Sequence, residues 1–284
     1  MRGYREYAPV PMRWIAEHHL VATTHIRLRL DRETTIAPCT RKIGDVDVRI
    51  STRDAAVQEV AAAIGARVPG AWGFCNAHTV NVARKRPDFR AALARMTLFN
   101  DGAGLDLASR LLYGEPFPEN LNGTDFTPLL LLSLPAKTTI FLVGSAPGVA
   151  EMAAVAIRAT YPNIAIVGMQ HGFFAAADED AIFARIAASR ARLVLVAMGH
   201  PVQELWAARA SPRLGMPLLC VGAFLDFAAG KVSRAPRTIR RLRLEWAYRL
   251  AQEPRRLARR YLAGNALFVG AMLRQRLQHR SARP

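Results

Sequence analysis

A chain of 284 residues with 51% hydrophobic content can bury a large core as one α/β domain with an appendage, which excludes the disordered class. No apolar run approaches the roughly 18 residues of a membrane span, and His18, His19, His25 and Arg27 interrupt what could have been a signal peptide, so a cytoplasmic location is expected. The net charge of +17 is concentrated: from Lys231 to Pro284 there are 15 Lys and Arg against 2 Asp and Glu, leaving +4 for the rest and pointing to a phosphate-rich surface touched by that segment.

In chain order, residues 1–40 are Arg- and His-containing and weakly periodic, and read as an N-terminal extension. Lys42 to Ile50 reads as a short hairpin, followed by a helix capped by Ser51 or Thr52 and running through Ala55, Val57, Val60 and Ala61 to Ile64. Asp45-Val46-Asp47 spells the D-x-D of many metal-dependent sugar-nucleotide enzymes, but it alternates within a strand and no phosphate loop follows it. Next comes strand, polar loop, helix, strand, polar loop, helix. Ala71–Phe74 leads into Cys75-Asn76-Ala77-His78-Thr79-Val80-Asn81, and one helix is expected over Val80–Leu93. Met96–Phe99 leads into Asn100-Asp101-Gly102-Ala103-Gly104, then Asn122-Gly123-Thr124-Asp125 and a buried helical piece at Leu129–Leu134.

The second half continues the alternation. Strands are expected at Thr138–Val143, Ile164–Val167, Leu193–Met198 and Leu218–Val221, with helices up to about Tyr161, over Asp178–Ser189 and around Leu205 and Trp206. This spacing implies a Rossmann-like, mostly parallel sheet with helices on both faces, over residues 41–230. Beyond Gly230 the character changes. Ile239, Leu242, Trp246 and Leu250, then Leu257, Tyr261 and Leu262, fall among clustered arginines, so 231–284 reads as a basic amphipathic helical appendage suited to an anionic membrane surface.

In such a sheet ligands bind at the loops leaving the carboxyl ends of strands. Asp101 lies in one of them, beside Gly102, where a small residue lets a substrate approach the backbone. The cysteines, Cys39, Cys75 and Cys220, are odd in number and widely spaced, which fits a reduced compartment and argues against a zinc site; Cys75 reads as a buried strand-end residue. There is no P-loop, and Gly102-Ala103-Gly104 lacks the third glycine of the dinucleotide fingerprint, so NAD is weakly supported and another nucleotide stays open.

The order of these clusters resembles the WecG/TagA/CpsF glycosyltransferases, glycosyltransferase family 26, from about Gly44 to Leu262. The resemblance rests on Asn76-Ala77-His78-Thr79-Val80-Asn81, Asp101-Gly102-Ala103-Gly104, Gly123-Thr124-Asp125 and Gln170-His171-Gly172-Phe173-Phe174. Further on it rests on Gly199-His200-Pro201-Val202-Gln203-Glu204-Leu205-Trp206, Ala229-Gly230-Lys231, Arg234-Ala235-Pro236 and Leu244 through Arg256. It implies an inverting transferase that needs no metal or other cofactor. Such an enzyme moves a hexose-type sugar from a UDP-sugar to a polyprenyl-diphosphate-linked sugar at the cytoplasmic face of the membrane, for exopolysaccharide, capsule or cell-wall polymers. It also implies Asp101 as the base, Thr79 and Asn81 as the polar pair lining the pocket, and Gln203 facing it. An enzyme without a metal must stabilise the departing UDP by donors, helix ends and arginines, for which Arg234, Arg237 and Arg241 are the candidates.

The sequence departs from the family pattern near the pocket. Asn100 stands where Pro is usual, Asn120 where an Arg often precedes Gly-x-Asp, and His200 and Val202 replace a usual Ser and Lys. As read from the residues, Asp125 caps the following helix and His200 is a turn residue. Two other readings remain: an α/β enzyme using a different nucleotide cofactor, and a non-catalytic binder of nucleic acid or membrane through the basic segment. Sequence-reading and RNA-stacking motifs are absent, so no nucleic-acid partner is expected.

Overall fold

The computed structural model describes residues 39–236, 238–239, 245–258 and 262–281; residues 1–38 of the N-terminal extension, Arg237 and Arg241 lie outside the described residues. The chain enters through the hairpin β1 (Thr40–Ile43) and β2 (Val46–Arg49), whose inward Ile43, Val46 and Val48 alternate with exposed Lys42 and Asp47. Thr52 caps α1 (Arg53–Ala66), accepting from the Ala55 N–H at 3.4 Å. Then follow β3 (Gly70–Cys75), α2 (Ala77–Lys85), α3 (Pro87–Leu93) and β4 (Thr97–Asn100). The single helix expected over Val80–Leu93 is thus two. Pro87 disfavours helical backbone at the residue before it, Arg86 is extended at φ −127°, ψ 100°, and Pro87 opens α3.

After α4 (Ala103–Tyr113) and α5 (Gly123–Ser133), the second half runs β5 (Thr138–Gly144), α6 (Val149–Thr160), β6 (Ile164–Gln170), α7 (Glu179–Ala188), β7 (Leu193–Ala197), α8 (Val202–Leu214), β8 (Pro217–Cys220) and α9 (Phe224–Ala228). β6 continues three residues beyond Val167, because its pairing with β5 resumes after a register shift and carries on to Val143↔Gln170.

The eight strands among the described residues form one sheet in the order β1-β2-β4-β3-β8-β7-β5-β6, antiparallel between β1 and β2 and parallel elsewhere. Leu193, Val194, Leu195, Val196 and Ala197 are all buried, as expected of a parallel strand covered on both faces. One core layer joins α1, α5, α6 and α9 to the sheet, and another is built by α7 and α8. The chain leaves β3 toward β4 on one side and comes back through β7 to β8 from the other. The carboxyl ends of β3, β8 and β7 therefore flank the seam between two halves, which is where an open α/β sheet presents a crevice. Asp45 sits in the β1–β2 turn, at the amino end of β2 and so at the opposite edge of the sheet, 3.3 Å from Arg90; the D-x-D is not part of this crevice.

The C-terminal segment contributes α10 (Glu245–Gln252), α11 (Pro254–Ala258) and α12 (Gly264–Ser281). α12 packs on α2 and α4, and its Phe268 and Met272 are buried in one cluster with Val80, Ala83, Leu105 and Ala108. Its Gln275 carboxamide accepts from the Gly44 N–H at 2.8 Å and donates to the Lys42 carbonyl at 3.1 Å. Among the described residues, no helix is long and apolar enough to cross a membrane.

Candidate active site

The site is built on the ends of β3 and β4. Asn76, just past β3, is extended and caps α2, accepting at Oδ1 from the N–H groups of His78 and Thr79, both at 3.1 Å. The Thr79 hydroxyl accepts from the Asn76 N–H at 3.3 Å and closes a capping box. Asp101 follows β4, and its N–H donates to the Cys75 carbonyl at 2.7 Å, so the two strand ends are locked together. The free amide end of Asn76, Nδ2, donates to Asp101 Oδ2 at 3.3 Å. The N-cap of α4 is Gly102, with no side-chain cap bond, so Asp101 is not the capping residue of that helix. Gly102 has φ +89°, a backbone conformation that side chains resist, and its N–H donates to Asn120 Oδ1 at 2.6 Å. Fully buried Asn100 donates Nδ2 to the Glu119 carbonyl at 2.8 Å, and its own carbonyl accepts from Leu121 at 3.0 Å. The two asparagines that depart from the family pattern thus tie the 119–121 loop behind Asp101.

A charged wall lies on the α5 side. Asp125 does not cap α5; Asn122 does, accepting from the Asp125 N–H at 2.9 Å, and the Asp125 carboxylate is turned to other use. Its Oδ2 accepts from Asn122 Nδ2 at 2.8 Å and its Oδ1 accepts from Arg234 Nη2, with the Arg234 side chain buried. Arg234 Nε is also 3.7 Å from Glu245 Oε1 on α10, and one turn further on the Arg249 guanidinium lies over the Phe227 ring at 5.1 Å. Burial pushes the Glu245 carboxyl above its ordinary value; Arg234 opposes this, and the nearby charges of Asp125, Arg249 and Asp101 also act on it. Asp226 is likewise raised by burial, against the nearby Ser145 hydroxyl and the charge of Arg249. Asp101, Asp125, Glu245, Arg234 and Arg249 therefore share one electrostatic neighbourhood.

The third wall comes from β7 and α8. Gln203 is buried, with Oε1 accepting from the Gly199 N–H at 3.2 Å and Nε2 donating to Glu204 Oε1 at 2.7 Å. The same Glu204 oxygen is 2.9 Å from His200 Nδ1, and the rings of His200 and His78 meet edge to face at 6.4 Å between centroids. Beneath them Cys75 is wholly buried. Burial first, and then the charges of Asp101 and Glu204, push its thiol far up, so it is no thiolate nucleophile. Cys220 is raised by burial and by Glu204 in the same way.

Of the residues nominated from the sequence, Asp101, Gly102 and Arg234 come together at this edge. Thr79 is fully buried and engaged in the capping box, while Asn81 donates Nδ2 to the Gly264 carbonyl at 2.7 Å and so anchors the start of α12. Gln203 is spent on Gly199 and Glu204. Glu245, Arg249, Asp226, His78 and the His200–Glu204 pair went unnominated. The Glu245–Arg249 spacing of four, one helical turn, was the signal available for the first two. Among the described residues, no group of three or more His, Cys, Asp or Glu is placed to hold a metal ion.

The arrangement can do two things at once. A carboxylate steadied at a strand end can accept a proton from an attacking hydroxyl, and Arg234 and Arg249 a short way off can hold a phosphate-bearing group. The model of the glycosyl transferase WecG/TagA/CpsF family matches residues 41–282, nearly all of the chain, and the protein belongs to that family of glycosyltransferases, whose activity serves polysaccharide synthesis.

Proposed function

We propose that the protein is an inverting, metal-independent transferase that moves a hexose-type sugar from a UDP-sugar to a polyprenyl-diphosphate-linked sugar. The observation that carries this reading is Asp101, held by Asn76 at the sheet seam and in electrostatic reach of the Arg234–Asp125–Glu245 group. Inversion needs a single in-line displacement at the anomeric carbon. Asp101 takes the proton of the attacking acceptor hydroxyl as the new glycosidic bond forms, and the bond to the UDP oxygen breaks. The charge that develops on the departing diphosphate is met by Arg234 and Arg249, in surroundings dry enough to strengthen the attraction. Arg237 and Arg241 belong to the same basic segment and are assigned the same task. Gly102 lets the substrate approach the backbone, and Thr79, Asn81 and Gln203 shape the pocket.

A lipid-linked acceptor places the reaction at the inner surface of the cell membrane. The solvent side of α12 and its approach supports this, since Leu262, Val269, Leu273 and Leu277 are exposed there near Arg274 and Arg276.

The test is turnover of purified protein in EDTA, with a panel of UDP-hexoses and a short-chain polyprenyl-diphosphate-linked amino sugar, reading UDP release and the anomeric configuration of the product. Metal-free transfer with inversion, lost in Asp101→Asn, is the expected result. Retention of configuration, a requirement for a divalent cation, or unchanged turnover in that variant would each overturn it.

A further inference from the structure

We propose that His200, backed by the buried carboxylate of Glu204, contacts the transferred sugar and recognises one of its hydroxyl groups. The assignment rests on the transferase reading above and adds to it where the sugar lies.

Three polar side chains that the family resemblance assigns to the pocket make hydrogen bonds within the fold, with Asn81 Oδ1 left without a partner. Thr79 closes the α2 capping box, Asn81 holds the Gly264 carbonyl at 2.7 Å, and the Gln203 carboxamide is shared between Gly199 and Glu204. His200 stands at the carboxyl end of β7 and His78 in the first turn of α2, after β3; these strands flank β8 at the seam of the sheet. The His200 side chain is 16% exposed and Glu204 behind it 1%, so the imidazole is the part of the pair a ligand can reach. Glu204 Oε1 lies 2.9 Å from His200 Nδ1, and both that nitrogen and the other carboxylate oxygen are buried with no hydrogen-bond partner. A buried carboxylate and imidazole whose hydrogen-bonding capacity the fold leaves unused can meet a polar group of a ligand.

Charge decides which part of the substrate belongs there. Asp101 and Glu204 both act on the Cys75 thiol beneath, so this side of the site is electronegative and repels a diphosphate. The cations, Arg234 and Arg249, are beside Asp125, Asp226 and Glu245. The diphosphate belongs with the arginines and the uncharged, hydroxyl-bearing sugar with His200, with Asp101 at the boundary, where the anomeric carbon must lie for transfer. A site built to hydrogen-bond a hydroxyl discriminates strongly against a ligand that lacks it, because its own polar group is then left unpaired.

The experiment measures, by calorimetry, dissociation constants of full-length wild-type protein, His200→Ala and His200→Gln for UDP, UDP-glucose, UDP-galactose, UDP-N-acetylglucosamine and UDP-N-acetylmannosamine. Far-UV circular dichroism and the thermal midpoint of each variant check the fold. The expected result is that the tightest UDP-sugar loses about tenfold or more in His200→Ala and regains part of it in His200→Gln, while UDP alone stays within about twofold. Unchanged UDP-sugar affinity in a folded His200→Ala protein would overturn the assignment, as would an equal loss for UDP and for every UDP-sugar. Failure of the wild type to bind UDP or any of these sugars would instead overturn the transferase reading, and this assignment with it.

Discussion

The carboxamide of Asn76 serves Asp101 and α2 at the same time: Nδ2 donates to Asp101 Oδ2 at 3.3 Å, while Oδ1 accepts from the N–H groups of His78 and Thr79 at 3.1 Å. The two jobs separate by mutation. Asn76→Ala loses both, and should cost about 1 kcal/mol of stability for the cap as well as turnover. Asn76→Asp keeps a good cap but sets a carboxylate against Asp101, so stability should stay near wild type while turnover falls. Asp101→Asn should lower turnover by roughly two or more orders of magnitude with the fold retained. Chemical denaturation alongside initial rates checks all three, and equal rates for Asn76→Asp and wild type would remove Asn76 from the positioning of the carboxylate.

Gly102 carries the turn from Asp101 into α4 at φ +89°, ψ 163°. A Cβ there would meet nothing within 4 Å, so any penalty for Gly102→Ala is conformational rather than steric. Such backbone is nearly exclusive to glycine and should cost about 1–3 kcal/mol. Relief of that strain would rotate the peptide that aims Asp101, so the rate should fall together with the thermal midpoint. A midpoint within a degree of wild type would show that the turn relaxes freely.

The sheet was readable because its strands are buried on both faces, which leaves unbroken apolar runs such as Leu193–Ala197 between polar loops. Asp101 was readable because the Asp-Gly-Ala-Gly cluster follows such a run. The uses of Thr79, Asn81 and Gln203 were not readable, since a polar residue in a first helical turn looks the same in sequence whether it faces a ligand or closes a cap. The packing of α12 into the core was not readable for a different reason. Phe268 and Met272 face the core while Val269, Leu273 and Leu277 face outward, so apolar residues surround the helix and no single stripe marks its buried side. Arg249 was visible only as one arginine among many, and its place beside Glu245 and Asp226 depends on how α10 sits against α9.

Arg234 and Asp125 form a part-buried ion pair, with side chains 5% and 24% exposed. Removing Arg234 leaves the Asp125 carboxylate charged and partly desolvated, which typically costs about 1–3 kcal/mol. Arg234→Ala should therefore destabilise the protein by about that much at neutral pH. The double variant Arg234→Met with Asp125→Leu should recover most of the stability but none of the turnover, because the diphosphate contact is gone. Urea denaturation of the two single variants and the double variant measures the coupling. Independent, additive effects would mean that the pair contributes no more than its separate parts.

Glu245 and Asp226 make the stability depend on pH in a definite direction. Burial raises both above their ordinary values of 4.5 and 3.8, so over the interval above those values the folded chain holds protons that the unfolded chain releases. Their contribution is fully present below the ordinary values and is lost as pH rises through the folded ones. Glu245→Gln cannot ionise, and should flatten the decline in thermal midpoint on going from about pH 4.5 toward neutrality. A parallel displacement of the whole curve, with its slope unchanged, would show that Glu245 ionises in the folded protein as readily as in the unfolded one.

The inner and outer faces of α12 make different predictions. Phe268 is 2% exposed within the cluster that joins α2 and α4, so Phe268→Ala should cost about 3–5 kcal/mol through lost burial and the cavity left behind. Leu273 and Leu277, at 49% and 64% exposure, add little to folding, and changing both to Glu should move stability by no more than about 0.5 kcal/mol each. The same double change places two negative charges on the face proposed to meet an anionic bilayer. Sedimentation with phosphatidylglycerol-containing vesicles should then show binding reduced several-fold in Leu273→Glu/Leu277→Glu and retained by the folded fraction of Phe268→Ala. If the double variant binds vesicles as well as wild type does, the lipid surface is met elsewhere in the basic segment, and the apolar face of α12 must be covered by something other than membrane.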